Sequence, residues 1–285
     1  MVRVGSGEYQ YEVAPSWPKL PKYWRFGDCT EGAVNSQGEV HICSRSVHPL
    51  TIWDADGHFI SSWGEGTFKD PHGIFIDAED HVWIADDLDH LITRHTAAGE
   101  PVMTLGRKGR PAAAFTRLPF NMPAGVALAP TGEIFVADGY GNYLVHKFSA
   151  AGELLLTWGK QGTGPGEFDT VHNIAVDRES RVYICDRSND RIQVFDRDGQ
   201  FLAQWDVRGP NDLCIQDDIA YVAEGGRWIS LRTLDGEVIA RFGGSEGAGG
   251  EAVLKSGHGI CVDGQGSIYV TEIIRNQRVV KFQRV

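Results

Sequence analysis

The sequence predicts an all-β protein, a six-bladed β-propeller of four-stranded antiparallel blades, and three observations carry that expectation. Short runs of Val, Ile, Phe, Tyr and Trp alternate with Gly, Asp and Asn turns, 35 of the 285 residues are glycine, and no sustained helical periodicity is present. One unit recurs along the chain: His-Gly-Ile-x-Val-Asp, a turn, x-Val-Tyr-Val-Ala-Asp, a loop, Arg-Ile-x-Val-Phe, an Asp-Gly turn, and an apolar strand ending in Trp-Gly. The last copy stops one strand short, and a strand-like stretch near the N-terminus is available to complete it.

In chain order, the first copy runs from Glu31 to Gly64 and the second from Pro71 to Gly106. The third spans Pro123 to Gly159, the fourth Val171 to about Val207, and the fifth Pro210 to Gly243. The sixth begins at Gly257 and ends after SIYVTE and RVVKFQRV, its third strand. Residues 21–27, with Lys22-Tyr23-Trp24-Arg25-Phe26-Gly27, resemble the outermost strands that end in Trp-Gly or Phe-Gly. They are expected to close the ring, because closure removes an exposed sheet edge. The expectation is one domain over 1–285, with about 1–20 as an N-terminal extension. Gly162-Thr163-Gly164-Pro165-Gly166 has no helix after it and no lysine placed for phosphate, so it reads as an inter-blade connection. Gly243 to Gly250 reads as a flexible connector of the same kind.

Composition narrows the function. Lysine and arginine total 27 against 38 acidic residues, a formal charge of -11, which disfavours nucleic acid and anionic membrane as partners. No apolar run is long enough to span a bilayer, and the first residues lack the apolar core of a secretory signal, so a cytoplasmic location and a small-molecule partner are expected. Cys29, Cys43, Cys185, Cys214 and Cys261 are odd in number and scattered, which fits reduced, buried thiols. Oligomeric state is not legible.

The candidate site comes from the repeat. In an antiparallel blade, the start of the first strand and the end of the second lie on one face. The residues just before strand one are Glu31, His72, Ala124, His172, Asn211 and His258. The histidines fall in copies two, four and six, which in a six-fold ring are about 120° apart. Three neutral imidazoles with an open fourth position suit catalytic zinc; iron, cobalt or nickel also accept them, whereas calcium wants oxygen ligands. The end of strand two contributes Asp86, Asp138, Asp186, Glu224 and Glu272, expected to tie loops within their blades. Copy one replaces that acid with Ser44 and adds Arg45, and Tyr140 follows Asp138-Gly139 at the same rim. A phenol acting as a base near neutral pH needs its pKa lowered from about 10 toward 7, roughly 4 kcal/mol, which a nearby dication and an arginine can supply.

The repeats resemble NHL repeats. Ser44-Arg45-x-x-His48-Pro49, Asp138-Gly139-Tyr140-Gly141-Asn142 and the three-histidine register together resemble the peptidyl-α-hydroxyglycine α-amidating lyase family, over nearly the whole chain from about Lys22. The resemblance implies a metal-dependent lyase that cleaves the C–N bond of an α-hydroxyglycine-type carbinolamide to an amide and glyoxylate. His72, His172 and His258 would hold zinc, Tyr140 would be the base, and Arg45 would hold the substrate's charge or the tyrosinate. His48 and His90 would line the pocket. Where the family carries a cysteine beside the tyrosine this chain has Gly141, and where an aspartate follows the third histidine it has Gly259. Calcium is left with carbonyls near Val34 and Ile74. Two other readings remain: a lactonase-like hydrolase, for whose Glu/Asn calcium set only Glu31 and Asn211 match, and a non-catalytic NHL scaffold.

Overall fold

The computed structural model describes residues 2–113, 116–244, 253–274 and 276–285; the Gly243–Gly250 connector lies largely outside them. The described residues form 25 strands. They are β1 Arg3–Ser6 and β2 Tyr9–Val13; β3 Cys29–Val34, β4 Val40–Ser44, β5 Leu50–Trp53 and β6 Phe59–Trp63; β7 Pro71–Ile76, β8 Val82–Asp86, β9 Leu91–His95 and β10 Pro101–Gly106. Next come β11 Gly125–Leu128, β12 Ile134–Asp138, β13 Leu144–Phe148 and β14 Leu154–Trp158, then β15 Val171–Val176, β16 Val182–Asp186, β17 Arg191–Phe195 and β18 Phe201–Asp206. The last are β19 Pro210–Gln216, β20 Ile219–Glu224, β21 Trp228–Thr233 and β22 Val238–Gly243, followed by β23 Gly257–Val262, β24 Ile268–Glu272 and β25 Val279–Arg284. Five sheets are four-stranded with neighbours in sequence order, and the sixth has the order β1-β2-β25-β24-β23. These sheets coincide with the six copies read from the sequence, and no helix among the described residues is long and apolar enough to cross a membrane.

Two compact units can be distinguished, Met1–Gly66 with Asn211–Val285, and Thr67–Pro210. In the first, an N-terminal strand completes the last blade as expected, but it is not the stretch 21–27. Tyr9–Val13 supplies it, pairing Tyr11 with Arg284 and Val13 with Phe282, and Arg3–Ser6 adds a fifth strand outside it. Residues 3–13 are therefore part of the sheet and not an extension. The cause is packing. Alternation along Tyr9–Val13 turns Tyr11 inward, where it is fully buried 5.0 Å from Phe242. Residues 21–27 follow Pro18 and begin with Pro21, which lack the N–H a ladder needs, and their aromatic side chains pack instead. Trp24 stacks on His48 and Phe26 meets Trp53 edge-on.

The second unit holds the sheets from β7 to β18, with apolar layers between them. One layer contains Trp83, Ile92, Phe120 and Phe148, another Phe135, Trp158, Phe168 and Phe195. Burying each such side chain is worth roughly 1.5–3 kcal/mol. The glycine that ends these outer strands has a backbone cause: Gly106 and Gly159 have φ of +95° and +102°, and a Cβ at either would stand 2.4 Å from a carbonyl oxygen. The aspartate closing each His-motif strand is a turn residue. Asp177 Oδ1 accepts the N–H groups of Glu179 and Arg181, and its Oδ2 accepts the Tyr183 hydroxyl. Asp77 and Asp263 repeat the pattern with Trp83 and Tyr269.

Candidate functional site

A β-bulge carries each of the three histidines. Opposite β8, Pro71 pairs with Asp86 and Gly73 with Ala85, so the register shifts at His72. It shifts in the same way at His172, between Val171 and Asn173, and the pairing of β23 with β24 is broken between Gly257 and Ile260. A bulge bends the strand and re-aims the extra side chain. The histidines thus belong to the first strand and do not precede it. In the first blade the bulged residue is Thr30, between Cys29 and Glu31. Glu31, which the repeats set level with the histidines, instead pairs with Cys43.

In the second unit, His72 and His172 are buried, with ring centroids 5.0 Å apart. The Tyr140 hydroxyl oxygen is 3.1 Å from His72 Nε2 and 2.7 Å from His172 Nε2. His72 Nδ1 is 2.8 Å from the Ala124 carbonyl oxygen. A carbonyl only accepts, so Nδ1 carries the proton, and Nε2 of the neutral ring presents a lone pair. An outer carbonyl that fixes the tautomer in this way is what a metal-ligating histidine requires. In the first unit, the buried His258 repeats the pattern, its Nδ1 donating to the Thr30 carbonyl at 2.6 Å. Imidazole, with an uncharged and borderline-soft nitrogen, suits zinc and its transition-metal neighbours.

The glycine after His258 has a steric reason. A Cβ on Gly259 would lie 2.6 Å from Glu31 Cα and 2.8 Å from the Thr30 carbonyl oxygen. No aspartate fits there, so this chain cannot present the calcium ligand that the resemblance sets at that position.

Tyr140 stands on the loop between β12 and β13, which Asp138 holds in place. The Asp138 carboxylate accepts the Asn121 N–H and the Asn142 amide and is 3.2 Å from His146 Nε2. Across the Tyr140 ring lies Arg187, its guanidinium carbon 5.5 Å from the centroid. Sequence reasoning missed Arg187, whose only signal was that it follows Asp186 at the strand-two position, as Arg45 follows Ser44. The acids at that position tie loops, as expected. Asp86 accepts the N–H groups of Lys69 and Asp70, Asp186 that of Asp169, and Glu272 those of Lys255 and Ser256. Glu224 binds Arg232 and Arg241.

Ser44 leaves the corresponding loop of the first blade without that carboxylate, and Ser44 and Ser46 turn it through the His48 carbonyl. Arg45 on this loop faces Asp28 at 3.9 Å. His48 is committed at the surface, stacked on Trp24 at 3.7 Å with Nδ1 3.0 Å from Glu65. His90 accepts the Met122 N–H on Nδ1, and burial, aided by Lys69, holds its pKa below the ordinary 6.5. Asn211 donates to the Gly257 carbonyl, and Glu31 is half-buried. None of the five cysteines is in a disulfide, and burial pushes the Cys29 and Cys261 thiols up.

The fold class of the chain is a six-bladed β-propeller of four-stranded antiparallel blades. A family model described as DUF5128, a 6-bladed beta-propeller, matches residues 126–221. NHL repeat-containing protein 3 of Homo sapiens is 30% identical over 228 residues, which are 74% of this chain and 65% of that protein. Peptidyl-alpha-hydroxyglycine alpha-amidating lyase 1 of Drosophila melanogaster is 32% identical over 169 residues, 55% of this chain and 31% of the relative. The resemblance read from the motifs is therefore borne out, and the chain spans less than two thirds of these relatives' lengths. Among solved structures, a streptogramin B lyase superposes with a TM-score of 0.65 at 12% identity, covering 98% of this chain and 99% of that one, which reports the shared fold alone.

Proposed function

We propose that this chain is a metal-dependent carbon–nitrogen lyase that splits an α-hydroxyglycine-type carbinolamide into an amide and glyoxylate. The observation that carries the reading is the phenol of Tyr140 within hydrogen-bond distance of Nε2 on both His72 and His172. A base and two ligand nitrogens converging on one point is what proton removal beside a cation needs. His258, with the same bulge and the same Nδ1–carbonyl bond, is proposed as the third ligand. Zinc, or another divalent transition cation, would supply the positive charge that makes a substrate hydroxyl easier to deprotonate.

The chain's own residues then have defined tasks. Tyr140, as phenolate, takes the hydroxyl proton of the substrate. The oxygen's electron pair forms the carbonyl of glyoxylate, the C–N bond breaks, and nitrogen leaves with that bond's pair and receives a proton, giving the amide. Arg187 over the Tyr140 ring favours the phenolate through its charge. Arg45 binds the substrate carboxylate. Similarity to an amidating lyase supports this reading, and similarity to NHL repeat-containing protein 3 leaves a scaffold as its competitor. Elemental analysis of protein purified without added metal separates the two, with about one transition metal per chain expected. Glyoxylate release from an N-acyl-α-hydroxyglycine then tests the reaction. A chain that holds no metal on titration overturns it.

A further inference from the structure

Asp28 joins two loops of the first unit at a single carboxylate. Its main-chain carbonyl accepts the Arg45 N–H at 2.9 Å, and its Oδ2 lies 3.9 Å from Arg45 Nη1. Its Oδ1 accepts the Ile274 N–H at 2.6 Å and the Gln277 side-chain amide at 3.2 Å. The preceding Gly27 is pressed against Arg45 so closely that a Cβ would fall 1.9 Å from the Arg45 carbonyl oxygen. Ile274 itself has φ of 64°, a left-handed conformation that a β-branched residue avoids unless its surroundings impose it. Its side chain is nonetheless 65% exposed, and Val47, two residues beyond Arg45, is 78% exposed. Arg45 and Ile274 thus meet at one carboxylate, which faces the guanidinium with one oxygen and accepts the Ile274 N–H with the other.

We propose that Asp28 is a positioning residue for Arg45 and that Ile274 is a specificity residue, selecting ligands that join a carboxylate to an apolar acyl group. This rests on Arg45 as the carboxylate-binding residue of the proposed lyase, and it does not depend on turnover. Asp28 does two things at once: it faces the cation with Oδ2, and it holds the Ile274 backbone beside that cation with Oδ1.

The test uses N-acetylglycine and N-benzoylglycine, which carry the carboxylate and the acyl group but have no hydroxyl to react, titrated calorimetrically into the metal-loaded full chain. N-benzoylglycine is expected to bind about tenfold more tightly. Ile274→Ala should cut that ratio about threefold and leave N-acetylglycine unchanged. Asp28→Ala should abolish the preference and weaken both ligands, whereas Asp28→Asn, whose amide oxygen still accepts the Ile274 N–H, should keep the preference. Melting curves identify any variant that does not fold, and Ile274→Ala with Asp28→Asn carries the test if Asp28→Ala is one of them. Equal binding of the two acylglycines, no binding of either, or an unchanged ratio in Ile274→Ala overturns the proposal. So does loss of the preference in folded Asp28→Asn. Acyl-selective binding without glyoxylate release would remove the lyase reading and leave this one; glyoxylate release without acyl preference would do the reverse.

Discussion

Replacing Tyr140 by phenylalanine deletes one oxygen from the point on which His72 and His172 converge. That oxygen stands 3.1 and 2.7 Å from the two Nε2 atoms, while the ring can keep its place beneath Arg187 and edge-on to both histidines. The stability cost is that of about one hydrogen bond, about 1 kcal/mol. The catalytic cost is much larger. A positioned general base contributes about 10²–10⁴ in rate, which corresponds to about 3–5 kcal/mol of activation free energy. The expected result for Tyr140→Phe is therefore a drop in kcat of that size, with KM little changed and melting temperature nearly that of the parent. Metal content should stay the same, since the phenol is not itself a proposed ligand. The assay is glyoxylate release from an N-acyl-α-hydroxyglycine across a pH series, with metal measured on the same samples. The parent should gain rate with rising pH until the phenol is ionised, and the variant should lack that limb. Turnover within twofold of the parent, or an unaltered pH profile, refutes Tyr140 as the base.

His172→Ala should lower affinity for the metal by more than the 10–100-fold typical of losing an outer-sphere partner, read by competition with a chelator. Asp186→Ala strips the buried Arg191 of its carboxylate, at 2.7 Å, and removes an acceptor for Asn189, Gln193 and the Asp169 N–H; about 3–5 kcal/mol of stability should be lost in a denaturant melt. His95, buried between Thr93 and Gly99, has its pKa lowered from 6.5 by desolvation. The unfolded chain therefore binds the proton more readily, so stability should fall as pH drops through about 6.5 and level off below the folded pKa, by at most about 1.4 kcal/mol per pH unit. His95→Gln should flatten that dependence in melts across the range, and an unchanged slope would exclude His95 as its source.

Much of the architecture was legible because a repeat states its local rules six times. The Asp turns, the Trp-Gly strand ends and the inward alternation all act over a few residues, and each held in the structure. The acids after strand two were also legible as loop ties, since a buried carboxylate at a recurring position needs donors nearby and the preceding connection supplies them.

What the sequence determined by itself is the set of residue types: histidine at one position in copies two, four and six, tyrosine and arginine at the ends of second strands, glycine where a chain must turn. Tertiary structure alone decided where those side chains aim. Whether His72 sits in regular pairing or in a bulge depends on the register of β7 against β8, a relation between separate strands that no local pattern carries. The closing strand shows the same limit. Lys22–Gly27 has the aromatic-Gly ending of an outer strand and Tyr9–Val13 the alternation of one, and the choice fell to Tyr9–Val13 because Tyr11 finds Phe242 while Trp24 and Phe26 find His48 and Trp53. Arg187 over Tyr140 and Asp28 between Arg45 and Ile274 are likewise meetings of loops, set by how the sheets bring their ends together and absent from any motif.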